Sequence, residues 1–124
     1  MYVYQLLGFQ EAYKSLIGIK FPITTSYKIA KIKKYIEEEL SFYEQELQKI
    51  ITEYGEKDEN GQYIYSDNNG SIKIIPSRLQ ECMHKVNSLE QLQVQEPSIK
   101  LTLEDLSNVN LTPQEFEYLM PFLE

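Results

Sequence analysis

Hydroxyl, aromatic and ammonium groups crowd into one short stretch of this 124-residue chain. Thr24, Thr25 and Ser26 stand in a row, followed by Tyr27, Lys28, Lys31 and Lys34. Tyr27, Lys31 and Lys34 are separated by 4 and 3 residues, so on a helix they share a face. At the start of a helix, free N–H groups and the positive end of the helix dipole favour an anion. Hydroxyl donors, ammonium groups and an aromatic plane within two turns suit a phosphate-bearing ligand with a base. These seven residues are therefore the candidate ligand-binding set. One helix encloses little, so a pocket here is expected where two subunits meet. The competing explanation is a capped helix start with a solvated basic edge.

Elsewhere the chemistry thins out. Cys82 and His84 are the sole cysteine and histidine, and two residues apart on a helix they point in different directions. Cys82 is expected as a buried structural thiol and His84 as an exposed side chain. Zinc lacks ligands. Glu56, Asp58, Asn60, Gly61 and Asp67 fall on an EF-hand-like register, yet Tyr63-Ile64-Tyr65 and a second Asn-Gly follow where a helix should leave the loop. Glu37-Glu38-Glu39 reads as a solvated helix face rather than a catalytic pair. The glycines are scattered and form no phosphate loop. No catalytic residue, cofactor or metal is expected, and the chain reads as non-enzymatic.

The element that must position the candidate site is a long helix. Ile29, Ile32, Ile36, Leu40, Tyr43, Leu47, Ile50 and Tyr54 step by threes and fours, a sustained apolar seam with the period of a coiled coil. No Gly or Pro interrupts it before Gly55. Thr24, Thr25 and Ser26 offer N-caps, and Pro22 keeps Phe21 extended. The helix is expected over about 25–54, spanning roughly 45 Å. That exceeds the width of a compact domain, so the seam is expected to meet another chain, with a homodimer as the default. Tyr35, Phe42 and Ile51 widen the seam into a stripe.

Around it, Gly8 to Ile17 reads as a short helix stopped by Gly18. Asp58-Glu59-Asn60-Gly61 and Asp67-Asn68-Asn69-Gly70 frame β-prone Tyr63-Ile64-Tyr65 and Ile72-Lys73-Ile74-Ile75, which predicts a β-hairpin at about 62–75. Leu79, Cys82, Met83, Val86 and Leu89 predict a second helix at about 78–89. Thr102 and Asp105 suggest a small capped turn. Thr112-Pro113-Gln114-Glu115 is a capping box before a short apolar element that docks the C-terminus. The fold class read from these signals is α+β, mainly helical, in one domain over 1–124. Its long-helix core covers 22–92, with a hairpin insert at 56–76 and a C-terminal docking segment at 97–124.

The net charge of −7 is unevenly spread. Residues 1–34 carry six lysines against Glu11 alone, while 35–62 carry nine acids against Lys49 and Lys57. Overall acidity argues against general nucleic-acid binding. The basic stretch near 20–34 suits a small anion or an acidic partner. No apolar run approaches a membrane span, and Met1-Tyr2-Val3-Tyr4 lacks the marks of a signal peptide. A single cysteine fits a reducing cytoplasm.

Phe21-Pro22-Ile23-Thr24-Thr25-Ser26-Tyr27-Lys28-Ile29-Ala30-Lys31 resembles the opening of a small bacteriophage and prophage family of Gram-positive hosts. So do Tyr54-Gly55-Glu56-Lys57-Asp58-Glu59-Asn60-Gly61, the repeat at Asp67 to Gly70, Leu111-Thr112-Pro113 and Leu119-Met120-Pro121-Phe122. The family has no assigned function, so the resemblance implies a phage context, in the cytoplasm of a bacterial host, and no catalytic residues. The resulting expectation is a binding protein that interferes with a host process, antiviral defence above all. It would sequester a nucleotide immune signal or occupy a host defence protein. The alternative is a structural or replication accessory protein that assembles with phage partners through its helical stripe.

Overall fold

The computed structural model describes residues 1–66 and 70–124. In chain order the helices are α1 (Val3–Tyr13), α2 (Ile23–Tyr54), α3 (Leu79–Glu90) and α4 (Pro113–Leu119). Short 3-10 turns occupy Pro76–Arg78, Glu104–Leu106 and Met120–Phe122. The chain divides into two compact units, Met1–Ser41 with Gln93–Glu124, and Phe42–Leu92. No helix among the described residues is long and apolar enough to cross a membrane.

In the first unit, α1 starts earlier than the sequence suggests because the Gln5 side chain accepts the Tyr2 N–H at 2.8 Å, closing the helix start. It also ends earlier. Beyond Tyr13 the backbone tightens into three-residue turns, with Ser15 N–H bonded to Ala12 O and Leu16 N–H to Tyr13 O. Gly18 then takes a left-handed φ of 87°. Leu6, Phe9, Ala12 and Leu16 are buried, as are Ile29, Ile32, Ile36 and Leu40 from the first part of α2. The C-terminal segment is docked. Leu119 and Phe122 are buried, the Phe122 ring lies 4.8 Å from that of Phe9, and Leu101 bridges Leu123 in parallel. Helices α1 and α4 pack closely at Gly8, where a Cβ would stand 2.9 Å from the Tyr118 ring. The capping box at Thr112 and Glu115 forms as expected, and Pro113 takes the first helical position.

The second unit holds the rest of α2 and α3. Ile50, Tyr54 and Cys82 form its core, with Ile74, Val86 and Leu89 packed against them. The Tyr54 ring is covered by two cations, Arg78 at 4.2 Å and Lys85 at 5.0 Å. Its hydroxyl has no aligned hydrogen-bond partner among the described residues. Even so, it stands close enough to Glu81 to be the first cause lowering that carboxyl below its ordinary value.

The predicted β-hairpin at 62–75 is not present, and the described residues contain no strand and no sheet. Pairing is reduced to isolated antiparallel bridges, Gly55 with Ile74, Lys57 with Tyr63 and Tyr65 with Ile72. The reason lies in how three segments share their backbone groups. Glu56 N–H bonds Lys73 O, Lys73 N–H bonds Ile64 O, and Ile64 N–H bonds Glu56 O, closing a ring of three hydrogen bonds. Each of these residues sends its N–H to one segment and its C=O to another, whereas in an antiparallel ladder a residue exchanges both bonds with the one residue opposite it. The first Asn-Gly turn does form. Asp58 Oδ1 accepts the Asn60 and Gln62 amides, and Gly61 adopts a φ of 80°. The second, expected at Asp67 to Gly70, falls on 67–69, outside the described residues.

Candidate functional site

Helix α2 begins at Ile23, so Thr24, Thr25 and Ser26 lie inside its first turn rather than capping it. The Ser26 amide instead donates to Pro22 O at 3.0 Å. Stepping back four residues from Ile29 and Ile32 continues the apolar seam to Thr25 and Lys28. Thr25 is accordingly buried, and a buried hydroxyl must find a partner. That partner is Asp105. Thr25 Oγ1 donates to its Oδ1 at 2.7 Å, and Lys28 Nζ donates to its Oδ2 at 2.9 Å. The Thr102 amide and hydroxyl also donate to Oδ2, at 2.9 and 3.1 Å. Burial alone would raise the Asp105 carboxyl, but the bonds from Lys28, Thr102 and Thr25 hold it well below the usual carboxylate range. The start of α2 thus already holds an anion, one of the protein's own.

The predicted set is therefore divided. Thr25 and Lys28 are committed to Asp105. Ser26 turns to a separate groove beside Leu16 and Ile29. Thr24 and Tyr27, with Ile23, Lys28 and Ile99, line an open and almost wholly apolar shelf of about 490 Å³. Ile23 is 85% exposed and Tyr27 57% exposed. Lys31 and Lys34 line a neighbouring groove of about 270 Å³ with Tyr35, Glu38, Ser98 and Ile99. Ile99 belongs to both depressions. The Lys31 ammonium approaches the Tyr27 ring, 5.7 Å from its centroid. Neither Lys31 nor Lys34 has a carboxylate partner among the described residues, whereas Lys33 pairs with Glu37. The Tyr35 hydroxyl is shut from water without a hydrogen-bond partner among the described residues. Burial, then Glu39 and Glu96, push its pKa up, so it stays a proton donor.

Ile23, Tyr35, Ile99, Thr102 and Asp105 were absent from the candidate set. Two signals pointed toward them. Ile23 and Tyr27 are apolar residues one turn apart that fall off the seam, and Thr25 is a polar residue that falls on it. Nothing local could supply Asp105, 80 residues further along the chain. The seam residues Ile29, Ile32, Ile36, Leu40, Tyr43, Ile50 and Tyr54 are all buried within the single chain, and Leu47 is half-buried.

Cys82 is 5% exposed, and burial followed by Glu53 pushes its thiol above the ordinary value, which disfavours the thiolate. His84 is exposed. Among the described residues no group of three or more His, Cys, Asp or Glu side chains is placed to hold a metal ion. Compared with protein-family models, curated proteins and solved structures, the chain finds no match.

Proposed function

We propose that this chain is a non-enzymatic binding protein of the phage or prophage kind, which interferes with a host process by occupying a host protein. Antiviral defence is the process it would antagonise. One observation carries the reading: Ile23, 85% exposed, and Tyr27, 57% exposed, build an open apolar shelf with Ile99 on the first turns of α2. Small-molecule sites enclose roughly 70–90% of their ligand's surface. A shelf this open covers one side of its occupant, which suits the face of another protein.

A photo-reactive residue placed at position 23 or 27, in host cells during infection, tests this. The expected result is a cross-link to a host protein that is lost when the same group is moved to Gln10. Cross-links to phage-encoded proteins alone would replace the reading with a structural or replication accessory role.

Sequestration of a nucleotide signal is the second reading, favoured by the groove beside the shelf. There the Tyr35 hydroxyl, without a partner among the described residues, stands with Ser98, Glu38 and the two lysines. Calorimetric titration with cyclic dinucleotides and ADP-ribose derivatives measures it, and heat that survives in a Lys31→Gln/Lys34→Gln variant would rule the groove out.

A further inference from the structure

The shelf and the groove differ in chemistry and adjoin at Ile99. On the shelf side the exposed groups are apolar, led by Ile23 and Tyr27. On the groove side they are Lys31, Lys34 and, one helical turn beyond Lys34, Glu38. Among the described residues eight of the twelve cations stand within 4 Å of a carboxylate, whereas Lys31 and Lys34, like Lys20 and Lys57, have none. Lys28, the other lysine between them and the helix start, is neutralised by Asp105 at 2.9 Å. The surface therefore offers apolar contact beside two ammonium groups that no carboxylate of the described residues approaches within 4 Å, on a chain whose net charge is −7.

We infer that Ile23, Tyr27, Lys31, Lys34 and Ile99 form a docking surface for an acidic, apolar segment of a partner protein. The partner's apolar side chain lies on the shelf and its carboxylates face the two lysines. This rests on the reading that the protein acts by occupying another protein, and it names the chemistry of the segment occupied. Tyr27 and Lys31 are one turn apart, about 6 Å along the helix. A segment that matches them carries apolar and acidic side chains four residues apart on a helix or two apart on a strand, since both place them about 6–7 Å from each other. Glu38 also lines the groove, one helical turn beyond Lys34, and sets the direction. A carboxylate that overran the lysines by one turn would meet a like charge. The lysines act mainly on encounter and register, while the shelf supplies the desolvated contact.

Selection of a random peptide library on the full chain tests this without knowledge of the natural partner. The expected result is enrichment of peptides that combine Asp or Glu with Leu, Phe or Trp. Their affinity should fall about tenfold in Lys31→Glu/Lys34→Glu, with a smaller fall in Lys31→Gln/Lys34→Gln, in line with two exposed ion pairs turned to repulsion. The difference should shrink in high salt. Circular dichroism of each variant checks that the helices are intact. Enrichment of basic or uncharged peptides, equal binding by the charge-reversed variant, or no enrichment would overturn the proposal. Displacement of selected peptides by ADP would also overturn it, in favour of a nucleotide site. A host protein cross-linked at position 27, together with indifference to both lysine variants, would leave the occupying role standing and remove only this account of its chemistry.

Discussion

Four donors converge on the Asp105 carboxylate: the Thr25 hydroxyl, the Lys28 ammonium, and the Thr102 amide and hydroxyl. The side chain is only 10% exposed, so these bonds replace nearly all of its hydration. Its carboxyl is held low in the folded state. It therefore adds stability that is complete above the unfolded value of about 3.9 and is lost as pH falls toward the folded one. Asp105→Asn keeps the shape and removes the charge. It should cost about 2 kcal/mol at neutral pH, the worth of a charge-assisted bond in a protected place. Urea denaturation at pH 7 and again below pH 4 measures this, and the gap between wild type and variant should narrow in acid. A gap that stays constant with pH would mean the carboxylate's charge is not what matters. The same network explains why half of the candidate site was not legible. Residue types and spacing marked Thr25 and Lys28 as anion ligands, and so they are, but the anion comes from a turn 80 residues away. Local sequence carries the demand for a partner and not its identity.

At the scale of elements, legibility followed the range of the interactions. Helix α2 was readable because its seam repeats over many turns and no breaker interrupts it before Gly55. The Thr112–Glu115 box was readable because cap and helix are three residues apart. The hairpin was misread because alternation and Asn-Gly turns announce extended segments without saying how many will share one set of backbone groups. Here three do, and they close on Gly55. A Cβ at that position would stand 2.8 Å from Ile72 Cγ2, 2.8 Å from Tyr63 Cε1 and 2.9 Å from the Ile51 carbonyl oxygen. The two side chains have some room to give, but the helical carbonyl has none. Gly55→Ala should therefore cost about 1–3 kcal/mol by overpacking. It should also speed amide exchange at Glu56, Ile64 and Lys73, whose N–H groups make the ring. Unchanged exchange at those three amides would show that the ring does not depend on the close approach. Thr112→Ala is a milder case. Loss of the bond from the Glu115 amide should cost about 1 kcal/mol, read as earlier fraying of α4 in hydrogen exchange.

For the molecule as a whole, the question is what the seam of α2 is for. Its length invited a second chain, yet seven of its eight residues are already buried in one. Ile29, Ile32, Ile36 and Leu40 serve the first unit, and Tyr43, Ile50 and Tyr54 the second. A charged side chain at Leu40, which is 0% exposed, separates the two uses. If the seam is internal, Leu40→Lys places an unpaired ammonium in the core. The cost of several kcal/mol is comparable with the whole stability of a domain, about 5–15 kcal/mol. The variant should lose helicity at every protein concentration. Leu47→Lys should stay helical, because at a half-buried position the lysine stem can lie along the apolar surface with its ammonium in water. Far-UV circular dichroism of both variants, with sedimentation at low and high concentration, gives the answer. A Leu40→Lys chain that remains fully helical and sediments as a smaller species than wild type would show that the seam joins two chains after all.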